Sequence, residues 1–295
     1  MANVLNGWII LDKPTGITSA HAVGKVKRLL KPGKIGHAGT LDPLASGILP
    51  LALGEATKTM PHMVDTGKSY SFAVTWGEER SGDDCLGEVV QTSEKRPNRD
   101  EIEAILPQFT GKIQQIPPAF SAIKVAGQRA YDLARSGINP ELKAREVLIN
   151  SLKITNYQPE FAEFICHCGK GTYIRSLARD MGRVLGCLGH ISRLRRLSVG
   201  KYSEKDAISL EVLEEMLHKG DLSFLRPVES ALDDILAWDI SSDQAALLRH
   251  GQTILIEDGT AQPDGTKVLV RCEGRVVAIC EMSFGSMKPD RVFNL

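Results

Sequence analysis

The 295-residue sequence has only six cysteines, at 85, 166, 168, 187, 272 and 280, and no two of them form a C-x-x-C pair. So sparse a set excludes a disulfide framework and predicts reduced thiols. Cys166-His167-Cys168 would put two sulfurs on one face of an extended run, yet no second ligand pair stands at a zinc-site spacing. The two thiols therefore read as small strand residues packed to one side, and no metal centre is expected. No apolar run approaches the ~20 residues that cross a bilayer. The opening MANVLNGWIILDKP has neither a basic leader nor a long apolar stretch, so no secretory signal is expected. A soluble, cytoplasmic protein that avoids membranes is the expectation.

Net charge is also lacking, because 36 Lys and Arg balance 36 Asp and Glu. A neutral sum argues against a polyanionic partner, but the distribution argues for one. Residues 170–203 carry eight Lys and Arg against Asp180, and residues 12–34 carry six against Asp12. Residues 204–258 reverse the balance, with 13 acids and four Lys and Arg. Two basic stretches on one face would make a phosphate-binding surface. Taken alone, each charge run reads as a solvated helix face.

What is present suffices for a large domain plus a small one, with 42% hydrophobic residues to build a core. Residues 8–11 (WIIL) predict a strand, stopped by Lys13-Pro14 and Gly16. Thr18 or Ser19 can cap a helix carrying Val23, Val26 and Leu30 on one face, ended by Pro32-Gly33. Residues 36–47, GHAGTLDPLASG, are too rich in Gly and Pro for regular structure and predict a loop. Strands are predicted around Tyr70–Thr75 and Phe161–Cys168, with a polar turn at RSGDDCLG. Helices are predicted from Asp100 and over Thr172–Leu185, the latter basic, with Ile174, Leu177, Ala178, Met181 and Leu185 inward. Strands and helices mix without β-α-β alternation, which favours an α+β fold. Beyond a composition shift near Leu225–Trp238, the short runs TILIE, KVLVRC, VVAICEM and RVFNL predict a small β barrel or sandwich. A hairpin is expected at Glu273-Gly274.

The glycines of GHAGTLDPLASGILP invite a phosphate-loop reading, but the segment lacks a G-K-[ST] ending and the G-x-G-x-x-G spacing. It offers instead one carboxylate, Asp42. Pro43 biases Asp42 toward an extended backbone, and the flanking glycines admit a bulky ligand. On these residues alone, a rigid accessible carboxylate and an ordinary turn before proline weigh about equally.

GHAGTLDPLASGILPLALGEATK resembles the signature segment of the TruB-type pseudouridine synthases, whose catalytic aspartate lies in G-H-x-G-x-L-D-P. GWIILDKPTGITSAHAV, GKSY, IPPAFSAIKVAGQRAYDLARSG, GTYIRSLARDMG and RLRRLSVGKY resemble further family segments in the same order, over residues 7–203. The resemblance implies a pseudouridine synthase fold, a mixed and largely antiparallel sheet with flanking helices and loops. A catalytic domain over 1–236 and a PUA-like RNA-binding barrel over 237–295, with Arg249-His250-Gly251-Gln252 ahead of a strand, complete the expectation.

The resemblance also implies the activity: isomerisation of a uridine to pseudouridine at position 55 in the T arm of tRNA, by base flipping and without metal or cofactor. Asp42 becomes the nucleophile, Tyr70 the aromatic under the flipped base, and Arg175 the cation beside Asp42, with Tyr173 next to it. Leu194 becomes an apolar wall, and His37 fills space vacated in the T loop. Lys13, Lys58, Arg195 and Arg196 are carried as further substrate-binding positions. The family's T-D-T-x-D-x-x-G stands here as Arg80-Ser81-Gly82-Asp83-Asp84-Cys85-Leu86-Gly87, which leaves Asp84 or Asp83 as the site-lining acid. A guide-RNA-dependent relative would carry longer extensions and protein partners, so a stand-alone, monomeric enzyme is expected. A binding protein that has lost catalysis conflicts with intact Asp42, Tyr70 and Arg175. A small-molecule transferase lacks its phosphate loop.

Overall fold

The computed structural model describes residues 5–295 apart from positions 122, 126, 139 and 257–261. Two single positions of IPPAFSAIKVAGQRAYDLARSG, and Glu257 at the end of TILIE, thus lie outside the described residues. The central sheet is built from β1 (Gly7–Lys13), β2 (Ser46–Leu53), β3 (Lys68–Trp76), β4 (Gly111–Gln115), β5 (Arg145–Gln158), β6 (Phe161–Cys168) and β7 (Gly189–Val199). Their order is β1-β2-β7-β3-β6-β5-β4, and short strands at Ile35–His37 and Tyr202–Ser203 pair with β2 and β7. All pairings along this path are antiparallel except β2 with β7, where Arg195 and Arg196 lie beside Ser46 and Gly47.

The continuous apolar run of β1 has a physical reason: the strand is buried on both faces. Ile9 and Leu11 join Leu49, Leu51 and Leu53 of β2 in a core under the helices. Trp8 and Ile10 join Ile48 and Ala52 in another core behind the sheet. Helix α1 (Ser19–Leu30) and helix α2 (Ile174–Leu185) cover the first face. Ala22, Val26 and Leu30 of the one, and Leu177, Ala178, Met181 and Leu185 of the other, enter that core.

Several expectations are refined here. The α1 cap is Thr18, whose Oγ1 accepts from His21 N at 3.0 Å. The helix stops at Lys31 in the left-handed region, one residue before Pro32. The loop expected over 36–47 is shorter, because Ile35–His37 is a strand and β2 begins at Ser46. Pro50 lies inside β2, opposite Ile10, and its carbonyl accepts from Ala38 N at 2.9 Å.

Following α3 (Leu210–His218), the carboxy-terminal region comprises β8 (Leu236–Asp239), α4 (Ser242–Arg249), β9 (Ile254–Leu255), β10 (Lys267–Cys272), β11 (Arg275–Ser283) and β12 (Ser286–Val292). Strand order β8-β10-β11-β12-β9 gives a curled five-stranded, PUA-like sheet, whose end strands are not paired with each other among the described residues. The expected hairpin turns at Glu273 and Gly274, both with positive φ, at 51° and 73°. The last strand ends at Val292, earlier than RVFNL suggested, because the polar segment SMKPDRV pairs with β11. Leu269, Val276, Ile279 and Phe293 pack with Trp8, Ile10 and Ile48, so this sheet closes the core behind β1 and β2.

The β2–β7 junction allows no side chain at Gly47, whose φ is 101° and whose added Cβ would stand 2.2 Å from the Arg196 carbonyl oxygen. Gly47→Ala is therefore expected to lower the unfolding free energy by ~2 kcal/mol or more. Gly24, within α1, has open space at its Cβ. Gly24→Ala is expected to raise stability by ~0.5–1 kcal/mol. Urea unfolding of the two variants checks both signs.

Candidate active site

The site forms where the loop between Ile35–His37 and β2 meets the N-terminal turn of α2. Two anchors hold the loop. Ser19, the first residue of α1 and buried, donates from Oγ to Leu41 O at 3.0 Å and accepts from Leu41 N at 2.8 Å. On the other side the buried Arg196 guanidinium donates to Ile48 O at 2.7 Å and Gly39 O at 3.0 Å. Asp42 sits between these anchors with Pro43 behind it, its carboxylate partly exposed.

Arg175 meets that carboxylate with two parallel hydrogen bonds, Nε to Oδ2 at 2.8 Å and Nη2 to Oδ1 at 2.9 Å. Its remaining N–H groups reach Gly82 O at 2.8 Å and Phe120 O at 3.0 Å. The Arg175 side chain is only 4% exposed, so the pair works where water competes weakly. Asp84 Oδ2 stands 3.8 Å from Arg175 Nη1, and burial raises its carboxyl above the usual range. Asp83, in contrast, turns to Arg179 at 3.0 Å. Of the two candidate acids, Asp84 is the one facing Arg175.

Tyr70 lies on β3 between its cross-strand partners Cys166 and Arg196, with 8% of its surface open. Burial pushes its phenol above the ordinary value, against the pull of Arg196. Lys13 is fully buried, donating from Nζ to Pro14 O at 2.9 Å and Ile17 O at 2.8 Å. Desolvation brings it down to about 8, with the charge of Asp42 opposing. His37 is held below its usual pKa by burial and by Arg196, and its Nδ1 is buried without a hydrogen-bond partner. A cavity of about 750 Å³ borders the loop, lined by Gly16, Pro43, Leu44, Leu86, Leu194 and Arg195 among others. Asp42 lies outside its wall, turned toward Arg175.

Comparison with known proteins gives this arrangement a family. Residues 27–174 match the TruB family pseudouridylate synthase N-terminal domain, and residues 175–233 match the tRNA pseudouridylate synthase B C-terminal domain. The tRNA pseudouridine synthase B of Bradyrhizobium diazoefficiens is 52% identical, over 99% of this chain and 86% of that protein. That of Brucella ovis is 47% identical, over 98% and 96%. The chain belongs to the TruB family of pseudouridylate synthases. A chain from an H/ACA RNP bound to a substrate RNA containing 2'-deoxyuridine shares the fold, with a TM-score of 0.74 and 24% identity over 98% of this chain and 85% of that one. A chain from the archaeal box H/ACA sRNP Nop10-Cbf5 complex superposes with the same TM-score and identity, over 98% and 86%.

Within this TruB-family site, Asp42, Arg175, Asp84, Tyr70, Arg196, Lys13 and His37 converge on the loop. Leu194 stands opposite Phe72 in the adjoining core. Tyr173 caps α2; its backbone is locked to Gln115 at 2.8 and 3.1 Å, and the Arg145 guanidinium lies 4.7 Å over its ring. Two positions are not brought to Asp42. Lys58 is bound by Glu55 at 2.6 Å and Val292 O at 2.7 Å, tethering the carboxy-terminal sheet. Arg195 points away from the Asp42 carboxylate, gripping Asp12 at 2.8 and 3.0 Å and Glu204 at 2.6 Å.

The cations expected on a basic surface over 170–203 have partners within the fold. Lys170, Arg175, Arg179, Arg183, Arg193, Arg195 and Lys201 all pair with acids, and Arg196 is spent on backbone carbonyls. Cys166 and Cys168 are buried on one side of β6 with His167 exposed on the other. The expected groups did not include Arg179. One turn beyond Arg175, it holds Asp83 Oδ2 at 3.0 Å and Ile116 O at 2.9 Å, fixing the turn that presents Gly82 and Asp84. Asp83 takes φ 61°, a left-handed conformation unusual for a residue with a side chain.

Burial pushes the Asp83 carboxyl up to about 6 from 3.8, with Arg179 opposing. A folded pKa above the unfolded one gives stability that is present below pH ~4 and lost as pH rises through ~6. Asp83→Asn removes this loss. Between pH 4 and 7 its unfolding free energy is expected to change more favourably than that of the wild type, by up to ~3 kcal/mol. Urea titrations at several pH values check the difference.

Proposed function

We propose that this protein is a stand-alone tRNA pseudouridine synthase, acting as a monomer in the cytoplasm. It isomerises a uridine at position 55 in the T arm to pseudouridine, without guide RNA, metal or cofactor. The observation that carries the reading is the two-point pairing of Asp42 with Arg175 in a loop anchored from both sides. The chain's relatives named tRNA pseudouridine synthase B lend the substrate.

A base stacked in a folded loop is reached only by extrusion, and the lost stacking is offset by contact with an aromatic ring. Tyr70 supplies that ring beside the site, and Leu194 an apolar wall. In the reaction the N1–C1′ bond breaks, the uracil turns, and C5 bonds to C1′. C5 then gives up its hydrogen as a proton, and N1 ends protonated, so product and substrate are isomers. Asp42 serves as the nucleophile. Arg175 holds the carboxylate in one orientation and favours its anion. Asp84 and Lys13 set the charge around the pair, and His37 enters the space the extruded bases leave. In this reading residues 1–236 carry catalysis, and residues 237–295 form a PUA-like domain that meets RNA.

Tritium release from tRNA labelled with [5-³H]uridine tests the activity, because the hydrogen leaves C5 only when that carbon becomes glycosidic. Wild type is expected to release tritium and Asp42→Asn to release none. Release by neither, with tRNA bound tightly by both, sinks the isomerase reading. Arg175→Lys keeps the charge but gives up the planar two-point pairing. Its turnover is expected to fall ~100-fold or more while tRNA affinity stays within ~3-fold. An equal loss in both quantities would assign Arg175 to phosphate binding instead.

A further inference from the structure

The cations of residues 170–203 are matched by acids or backbone carbonyls of the fold, and an RNA substrate is held best by cations without such partners. A dense run of such cations lies on α1 and just after it. No Asp or Glu occurs between Asp12 and Asp42, an interval that includes Lys25, Lys27, Arg28, Lys31 and Lys34. Lys27, Arg28, Lys31 and Lys34 are exposed. Among the described residues none of these five makes an ion pair or a side-chain hydrogen bond. Lys25, half-buried, lies near Glu211 on the neighbouring α3, whose carboxyl is held below its usual pKa chiefly by the Ser209 hydroxyl and least by Lys25.

The arrangement on the helix is self-repelling. Lys25 and Arg28 are three residues apart, Arg28 and Lys31 three, and Lys27 and Lys31 four. Neighbours at these spacings face one another, and like charges there cost roughly 0.2–0.5 kcal/mol each. The helix dipole compensates cations in the last turn only. It explains neither the absence of any acid along α1 nor the continuation at Lys34. A self-repelling surface of this kind is relieved by an external polyanion.

Its position fits the same reading. Ser19, at the start of α1, is bonded to Leu41, next to Asp42. The chain then runs out along the 12-residue helix, ~18 Å at 1.5 Å per residue, and returns through Lys34 to His37 and the loop. The free cations thus lie ~12 to ~18 Å along the helix from the Ser19 anchor, with Lys34 on the return toward His37, where the stem below a bound loop would continue.

We infer that the outer face of α1, with Lys27, Arg28, Lys31 and Lys34, holds backbone phosphates of the double-helical stem adjoining the loop whose base enters the Asp42 site. This rests on the tRNA reading above and places the RNA backbone on a surface different from the basic run of 170–203. Phosphate contacts of this kind set register and not sequence preference.

The test measures binding of an unmodified tRNA transcript across a range of salt concentrations. It compares wild type, K27Q/R28Q/K31Q, and a control triple, K153Q/K205Q/K219Q, that removes the same charge from exposed lysines elsewhere. Each cation withdrawn from a phosphate should flatten the plot of log K against log salt by roughly 0.7–0.9. The α1 triple is expected to flatten it by about 2 and to weaken binding at least ~10-fold near 0.1 M salt, while the control keeps the wild-type slope. Thermal melts confirm that all three remain folded. Equal slopes for the two triples would overturn the inference. Tritium release by wild type is scored separately. A flattened slope without release would leave this surface standing while the isomerase reading falls.

Discussion

A guanidinium buried beneath the Asp42 loop is the constraint on which the site is organised. Arg175 is almost wholly removed from water, and a charged group so placed costs several kcal/mol unless its hydrogen-bonding groups are satisfied. Four acceptor atoms from three distant segments satisfy it: both Asp42 oxygens, the Gly82 carbonyl and the Phe120 carbonyl. Moving any one of these segments leaves a buried charge short of a partner. The orientation of Asp42 is therefore set by the burial of Arg175 as much as by Pro43 and the loop glycines. Arg179 repeats the device one turn later with Asp83 and Ile116, so α2 fixes the 80–87 turn at two points.

The same matching of charges explains how a protein of zero formal charge presents a basic surface. Most Arg and Lys of the second half are matched by acids that fold against them: Arg183 by Glu79, Arg193 by Glu163, Arg195 by Asp12 and Glu204. Apart from Arg195 with Glu204, these pairs lie between segments far apart in sequence, so they hold strands and turns in register. Exposed members contribute little each to stability. Each pair also offsets the positive charge that its cation presents to a ligand. One dense run of unmatched cations lies where the sequence has no acid at all, between Asp12 and Asp42.

Sequence pattern reached the strands and helices wherever a single periodicity governed them. β6 falls on the segment expected, Phe161–Cys168, and α2 begins two residues after the expected Thr172 because Tyr173 serves as its cap. Strand β2 escaped notice because Pro50 and Gly47 are strand breakers by local rule. Here Gly47 is required by the close approach of the Arg196 backbone, while Pro50 keeps its place opposite Ile10 and uses only its carbonyl. Arg175 and Arg179 flank the apolar stripe of α2, and helical spacing alone assigns such residues to solvent. Their burial depends on carbonyls and carboxylates near residues 42, 82–84, 116 and 120, which no local pattern reveals. The resemblance of GTYIRSL to a family motif, and not its periodicity, pointed to Arg175, and nothing comparable pointed to Arg179. The partners of the 170–203 cations were hidden for the same reason: counting charges along a segment says nothing of what folds against it.

The carboxy-terminal sheet bears on the Asp42 loop through the core behind β2. One face of β2 is covered by α1 and α2, and the other, through Ile48 and Ala52, packs with Leu269, Val276, Ile279 and Phe293. Lys58 adds a bond to Val292 O, and Asn294 N donates to Glu55 Oε2 at 2.8 Å. A chain boundary near residue 236 is therefore no boundary in the hydrophobic core. Removing the terminal sheet would expose Trp8, Ile10 and Ile48, large apolar groups whose burial is worth ~1.5–3 kcal/mol each. The strand that carries the loop would then be supported on one face only. Whatever the terminal sheet contributes to RNA binding, its packing helps hold in place the strand from which Asp42 is presented.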